Sequence, residues 1–260
     1  MPHKKYRAFY ENVDRQSVYT PEKLPETHGA YKSVLSFIDR YNLSKKKVLE
    51  VGAAKGLFQD LVDDYVGLDI AESLKTHFHK PYVCLLDDGI YPFKDNTFDA
   101  AWTWKVFEHI PDIDTALKEL CRVVRPGGYV LFSPAWQCRP WAAEGYPVRP
   151  YSNFGLSGKL IKASIPLRNS LAWRLSWILP KRIVRHIFHC AGYRLRKFPT
   201  KQLKPNYVDF WMSDSDAVHS IDPHDAILWF QENGFKCINR PCHLRALTVR
   251  TGDLIFRKSG

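Results

Sequence analysis

Two short apolar runs, one breaking on glycine and one stopping on an acid, restrict the fold of this chain more than any other feature. The first is Val48-Leu-Glu-Val-Gly-Ala-Ala-Lys-Gly56 and the second is Tyr65-Val-Gly-Leu-Asp69. The first reads as a strand, a glycine-bearing turn and then a helix expected over 55–63. Gly52 and Gly56 let the backbone approach a ligand closely, and a helix beginning near Lys55 would aim its N–H groups at a negative group. An acid after the second strand can accept hydrogen bonds from ribose hydroxyls. Together they describe a nucleoside-containing ligand lying across the ends of parallel strands. The dinucleotide fingerprint G-x-G-x-x-G is absent here, because the turn is Gly52-x-x-x-Gly56 with Ala54 between.

Further motifs follow in register. Asp87-Asp88 comes after the apolar run Tyr82-Val-Cys-Leu-Leu86, and then come Phe98-Asp-Ala-Ala-Trp102 and Phe107-Glu-His-Ile-Pro-Asp112. Arg122-Val-Val-Arg-Pro-Gly-Gly-Tyr-Val-Leu-Phe132 completes the series. In this order and spacing the chain resembles the class I S-adenosylmethionine-dependent methyltransferases, over residues 28–135 and again from near Asp222.

The resemblance implies an α/β fold: a Rossmann-like, seven-stranded, mostly parallel sheet with helices on both faces and a closing antiparallel hairpin. It implies S-adenosyl-L-methionine as cofactor, with Glu50, Gly52, Ala53 and Gly56 holding its methionine end. Asp69 would take the ribose, Asp87 would lie near the adenine, and Asp88 is read as a turn residue. Phe107 is expected near the cofactor, within a stretch (103–109) that lines the transfer site. His109 is the candidate general base, since a neutral imidazole accepts a proton near pH 7; the competing reading has Glu108-His109 only orienting the loop. Lys105 would meet an anionic substrate or point to solvent.

Hydrophobic periodicity predicts a helix over 31–41 and another over 112–124, with strands at 47–52, 65–69, 81–86, 98–103 and 128–134. Asp222 caps a last helix with Pro223 at its first position, and Gly234 ends it. Strands at 235–239 and 254–257 would form the hairpin. The organisation expected is an N-terminal arm or cap (1–27), a methyltransferase core (28–135 and 214–260) and a basic, mainly helical substrate-lid insert (136–213) after strand 5.

Charge singles out the insert. The formal net charge is +11, yet residues 136–212 carry 14 basic and 2 acidic side chains while the flanking segments nearly cancel. Leu171, Leu175 and Ile178 share one helical face. After Pro180, Ile183, Val184, Ile187 and Phe188 form an apolar stripe, with Lys181, Arg182, Arg185 and His189 largely off it. Either this stripe packs on the core, or 169–192 makes peripheral contact with an anionic membrane. Trp136, Trp141, Tyr151, Trp173 and Trp177 among the basic residues allow an RNA methyltransferase as the alternative, although no RNA-binding module is appended. A non-catalytic cofactor-binding protein is the third possibility, opposed by the joint retention of Glu50, Gly52, Gly56, Asp69 and Asp87.

Asp214, Asp216 and His219 are candidate substrate residues. Their density of carboxylates and imidazoles also suits metal binding, but turn and capping roles account for such a loop, and no metal site is read. The six cysteines fit no zinc spacing and are expected to be reduced. The N-terminus lacks a signal-peptide pattern and no apolar run reaches the ~20 residues that span a bilayer. A cytoplasmic enzyme is therefore expected, soluble or peripheral to a membrane. It would methylate a small-molecule or sugar acceptor, lipid-linked glycans included, at oxygen.

Overall fold

The computed structural model describes residues 6–12 and 26–260, except the side chains at positions 243 and 244. The remainder of the expected 1–27 arm lies outside the described residues. Five strands, β1 (Lys47–Val51), β2 (Asp64–Asp69), β3 (Tyr82–Cys84), β4 (Phe98–Trp104) and β5 (Val124–Ser133), pair in parallel. A short two-stranded sheet follows in the insert, β6 (Thr200–Gln202) with β7 (His219–Ile221). The main sheet is completed by β8 (Phe235–Cys237) and β9 (Leu254–Lys258), and its order is β3-β2-β1-β4-β5-β9-β8. Strand β9 runs antiparallel to both β5 and β8, as the predicted closing hairpin requires.

Helices cover both faces because alternate strand residues are apolar on both sides. A helical segment at 6–12 (α1) precedes α2 (Gly29–Tyr41), α3 (Ile113–Val123), α4 (Leu156–Asn169), α5 (Leu171–Trp173), α6 (Leu179–Cys190), α7 (Pro223–Glu232) and α8 (His243–Thr248). Val34, Phe37 and Ile38 of α2 pack with Val48, Tyr65, Ala100 and Trp102 on one face. Leu117 and Leu120 of α3, with Ile227 and Phe230 of α7, pack with Leu49, Val66, Ala101 and Phe132 on the other. Asp112 caps α3 through the Thr115 N–H, and Asp222 caps α7 through the His224 N–H, with Pro223 in the first turn. All six cysteines are free thiols.

Three expectations are corrected. No α-helix forms over 55–63; the segment is turns ending in a 3-10 turn at Gln59–Leu61. Gly52 and Ala54 just before this span have φ of 75° and 45°, and Gly56 within it has φ of 66°, which breaks the run of right-handed residues that the first helical turn needs. Strand β5 begins at Val124 rather than 128, directly after α3, and accommodates Pro126-Gly127-Gly128 as a bulge between the pairs Phe98–Val124 and Ala100–Tyr129.

The third correction concerns the insert. Leu171 to Cys190 runs as one rod, α5 and α6 joined by a wider π-helical turn at Arg174–Ile178. Pro180 follows that turn, and widening just before a proline relieves its clash with the preceding carbonyls. On α6 it is the polar face that turns inward. Arg182 is only 6% exposed and donates to Asp222 and to the carbonyls of Leu247 and Val249. Arg185 pairs with Asp225, and His189 with Glu232 at 2.9 Å. Ile183, Val184, Ile187 and Phe188 are 41–61% exposed, so the reading in which this stripe packs on the core fails.

Candidate active site

The site grows from the carboxyl ends of β1, β2 and β4, where an open parallel sheet leaves a crevice. Glu50 sits buried near the end of β1 and its Oε2 accepts a hydrogen bond from the Tyr65 hydroxyl. Burial pushes its carboxyl up to about 8, against the lowering effect of Tyr65 and Trp102. The turn that follows is tied to β2. Gly52 and Ala53 donate to the Leu68 carbonyl at 2.8 and 3.2 Å, and Ala54 donates to Asp69 Oδ2 at 2.8 Å. Asp69 Oδ1 takes the Ile70 N–H at 2.7 Å, so this carboxylate holds two loops in place; burial raises its pKa. Gly52 is required by close packing, since a Cβ there would lie 2.2 Å from a Val106 methyl.

Helix α1 roofs the cavity between the ends of β2 and β3. Arg7 donates to the carbonyls of Ile70 and Leu85 and to Asp87 Oδ1, the last at 2.8 Å. Glu11 accepts from the N–H groups of Glu72 and Ser73 at 2.9 and 3.1 Å. Sequence reasoning identified an arm or cap but not Tyr6, Arg7 and Tyr10 as cavity-lining residues. No motif marks them, because their partners lie some 60–200 residues away.

At the opposite end the chain leaves β4 through Lys105, in the left-handed region at φ 51°, whose N–H donates to the Ser133 carbonyl. This bend sends Val106 and His109 to the cavity wall and turns Phe107 into the core against Phe132. Phe107 therefore does not line the cavity, contrary to expectation; Val106 takes that place. His109 Nδ1 lies 3.1 Å from Asp216 Oδ2, which also accepts the Tyr10 hydroxyl at 2.5 Å. Its Nε2 is 3.6 Å from Glu108 Oε1, which in turn accepts the Ala135 N–H.

Burial disfavours the charged imidazole, but Asp216, Glu108 and Asp214 outweigh it and raise His109 to about 9. The surrounding carboxylates thus favour the protonated ring, in place of the neutral imidazole expected from the sequence. Buried Asp216 stands behind His109 as its orienting partner. Asp214 and Lys105 line the cavity; burial raises Asp214, opposed by His109 and Lys105. His219 does not line it: its ring bonds the Thr200 hydroxyl and the Pro111 carbonyl, a loop-holding role.

Together these elements enclose about 660 Å³, within the range of small-molecule sites. Glu50, Gly52, Ala53, Asp69 and Asp87 line this cavity together with Lys105, His109 and Asp214. Gly56 does not; a Cβ there would meet Phe78 at 2.6 Å, so its role is packing. Glu108, His109 and Asp214 each bring one ligand-type atom within 4.8 Å of the others, a spacing that a divalent cation could share.

Residues 49–132 match the family model described as a methyltransferase domain. This segment is a methyltransferase domain of the class I S-adenosylmethionine-dependent type. The cofactor of this domain is S-adenosyl-L-methionine, and a cavity walled by the β1 turn and Asp69 fits it. Similar curated proteins include the ubiquinone biosynthesis O-methyltransferase of Chromobacterium violaceum, 29% identical over 113 residues, covering 38% of this chain and 49% of that protein. The enzyme of the same name from Pseudomonas fluorescens Pf0-1 is 27% identical over 134 residues, covering 46% and 56%. The chain thus spans about half the length of these relatives. A SAM-dependent methyltransferase from Aquifex aeolicus is 20% identical with a TM-score of 0.35, covering 40% of this chain and 64% of that one.

Proposed function

We propose that this methyltransferase transfers the methyl group of S-adenosylmethionine to a hydroxyl oxygen of a small acceptor, with His109 handling the proton. The observation that carries the reading is one continuous cavity with the β1 turn and Asp69 on one wall and Lys105, His109 and Asp214 on another. The bound cofactor supplies an already activated methyl group, so the protein's tasks are alignment and proton management. On this reading Glu50, Gly52 and Ala53 hold the methionine end and Asp69 the ribose. Asp87, fixed by Arg7, stands at the adenine end. Asp216 and Tyr10 keep the His109 ring in one orientation. Oxygen is favoured as the acceptor atom because the curated relatives bear the name O-methyltransferase. The acceptor class is a hydroxyl-bearing small molecule or sugar, lipid-linked glycans included.

A base that must first lose its own proton makes transfer rise with pH through about 9. His109→Gln should lower kcat by about 10²–10⁴-fold and erase that limb, leaving cofactor affinity by equilibrium dialysis unchanged. An unaltered kcat or pH profile would remove His109 from the chemistry. Chelators should have no effect; inhibition reversed by added magnesium would instead give Glu108, His109 and Asp214 to a cation. The acceptor is found by transferring labelled methyl into a cell extract. Label in the organic phase means a lipid-linked acceptor, and aqueous label means a soluble metabolite.

A further inference from the structure

The insert is built inside out. Of the 19 large apolar side chains that the described residues leave exposed, 16 lie between positions 136 and 212, a segment of under a third of the chain. They are ordered as well as numerous. Leu171, Leu175, Ile183 and Ile187 fall at multiples of four along the rod from α5 to α6, with Val184 and Phe188 beside them. The rod is held from beneath by Arg182, Arg185 and His189 on the acids of α7 and its cap. The bared stripe is therefore the fixed outer surface of a helix whose polar side is already used. Leu156, Leu160 and Leu167 of α4 extend the exposed apolar surface.

We propose that this rod docks the protein on an anionic lipid bilayer, with the stripe entering the headgroup boundary. Charge selects this occupant. The segment carries 14 basic and 2 acidic residues, and 12 basic ones remain once Arg182 and Arg185 are set against Asp222 and Asp225. A second copy would therefore set like charge against like, whereas acidic lipids complement it. Trp177 is exposed and lies under the Lys181 ammonium at 4.4 Å, an arrangement that suits the border between acyl chains and headgroups. Exposed Arg194, Arg196 and Lys197 follow directly. Among the described residues no helix is long and apolar enough to cross a membrane, so the contact is peripheral. The inference rests on the insert alone and is independent of the acceptor.

The test is sedimentation of the full chain with phosphatidylcholine vesicles, with and without phosphatidylglycerol. Binding is expected to the anionic vesicles and to weaken with salt. The double variant Ile187→Asp/Phe188→Asp should lower the partition coefficient by about tenfold or more, with an unchanged circular dichroism melt. Arg194→Glu/Lys197→Glu should weaken binding to the anionic vesicles with the apolar stripe intact. No sedimentation of the wild type, or equal sedimentation of the Ile187/Phe188 variant, overturns the proposal. So does a wild-type dimer in ultracentrifugation that this variant dissolves, or retention of labelled RNA at low salt without vesicle binding.

Discussion

Helices α3 and α6 have comparable apolar stripes in sequence and are installed opposite ways round. Helix α3 buries Ile113, Ala116, Leu117 and Leu120 beneath the sheet. Helix α6 buries Arg182 and leaves its stripe in the open. The difference lies in what each helix faces. Opposite α3 is the apolar face of β1, β4 and β5, which rewards burial of leucine. Opposite α6 is α7, covered along most of its length, with Asp225 and Glu232 held nearly out of water. Buried carboxylates must be paired, because an isolated charge is far more expensive to bury than an apolar side chain is to expose. Amphipathicity therefore establishes that a helix has two faces; its neighbour decides which one turns inward.

This contrast can be broken at both ends. The largest effect is expected in α3, where Leu117→Asp puts an unpaired charge among fully buried residues. A loss of more than about 4 kcal/mol, seen as failure to fold or a collapsed urea midpoint, is the expected outcome. Next comes the underside of α6. Arg182→Ala takes the guanidinium away from Asp222 and from two backbone carbonyls and should cost about 3 kcal/mol. Arg182→Leu should cost nearly as much, although it is the more apolar residue; a stabilised leucine variant would mean that the latch is dispensable. The smallest effect belongs to the outer stripe. Ile187→Asp should change stability in solution by no more than about 0.5 kcal/mol. A loss above about 2 kcal/mol would show the stripe to be covered after all.

The candidate site divides in a similar way. His109 was legible because it stands within a motif beside its strand, and Glu50, Gly52, Ala53 and Asp69 because each lies at a strand end. The groups that set the chemistry of His109 were not. Asp216 reaches it from across 107 positions, and Tyr10 reaches Asp216 from 206 away. The charges of Asp216, Glu108 and Asp214 outweigh the effect of burial and carry the imidazole from an ordinary pKa to about 9. Asp87 was placed at the adenine end with no sign that Arg7 would occupy its carboxylate. Asp216 and His219 were grouped as substrate residues, yet one braces His109 and the other braces a loop.

By itself the sequence determined whatever depends on neighbours along the chain. The strands and their glycine and acid stops, the cap at Asp222, and the concentration of positive charge in one insert are all local patterns, and local patterns survive folding when tertiary contacts reinforce them. The tertiary structure alone decided the loss of a helix after Gly52, the burial of Phe107 in place of Val106, the raised pKa of His109 and the outward stripe of α6. Each of these follows from a group distant in sequence or from backbone geometry. A close contact with Val106, three carboxylates around one ring and a buried row of acids on α7 impose requirements that no local pattern carries.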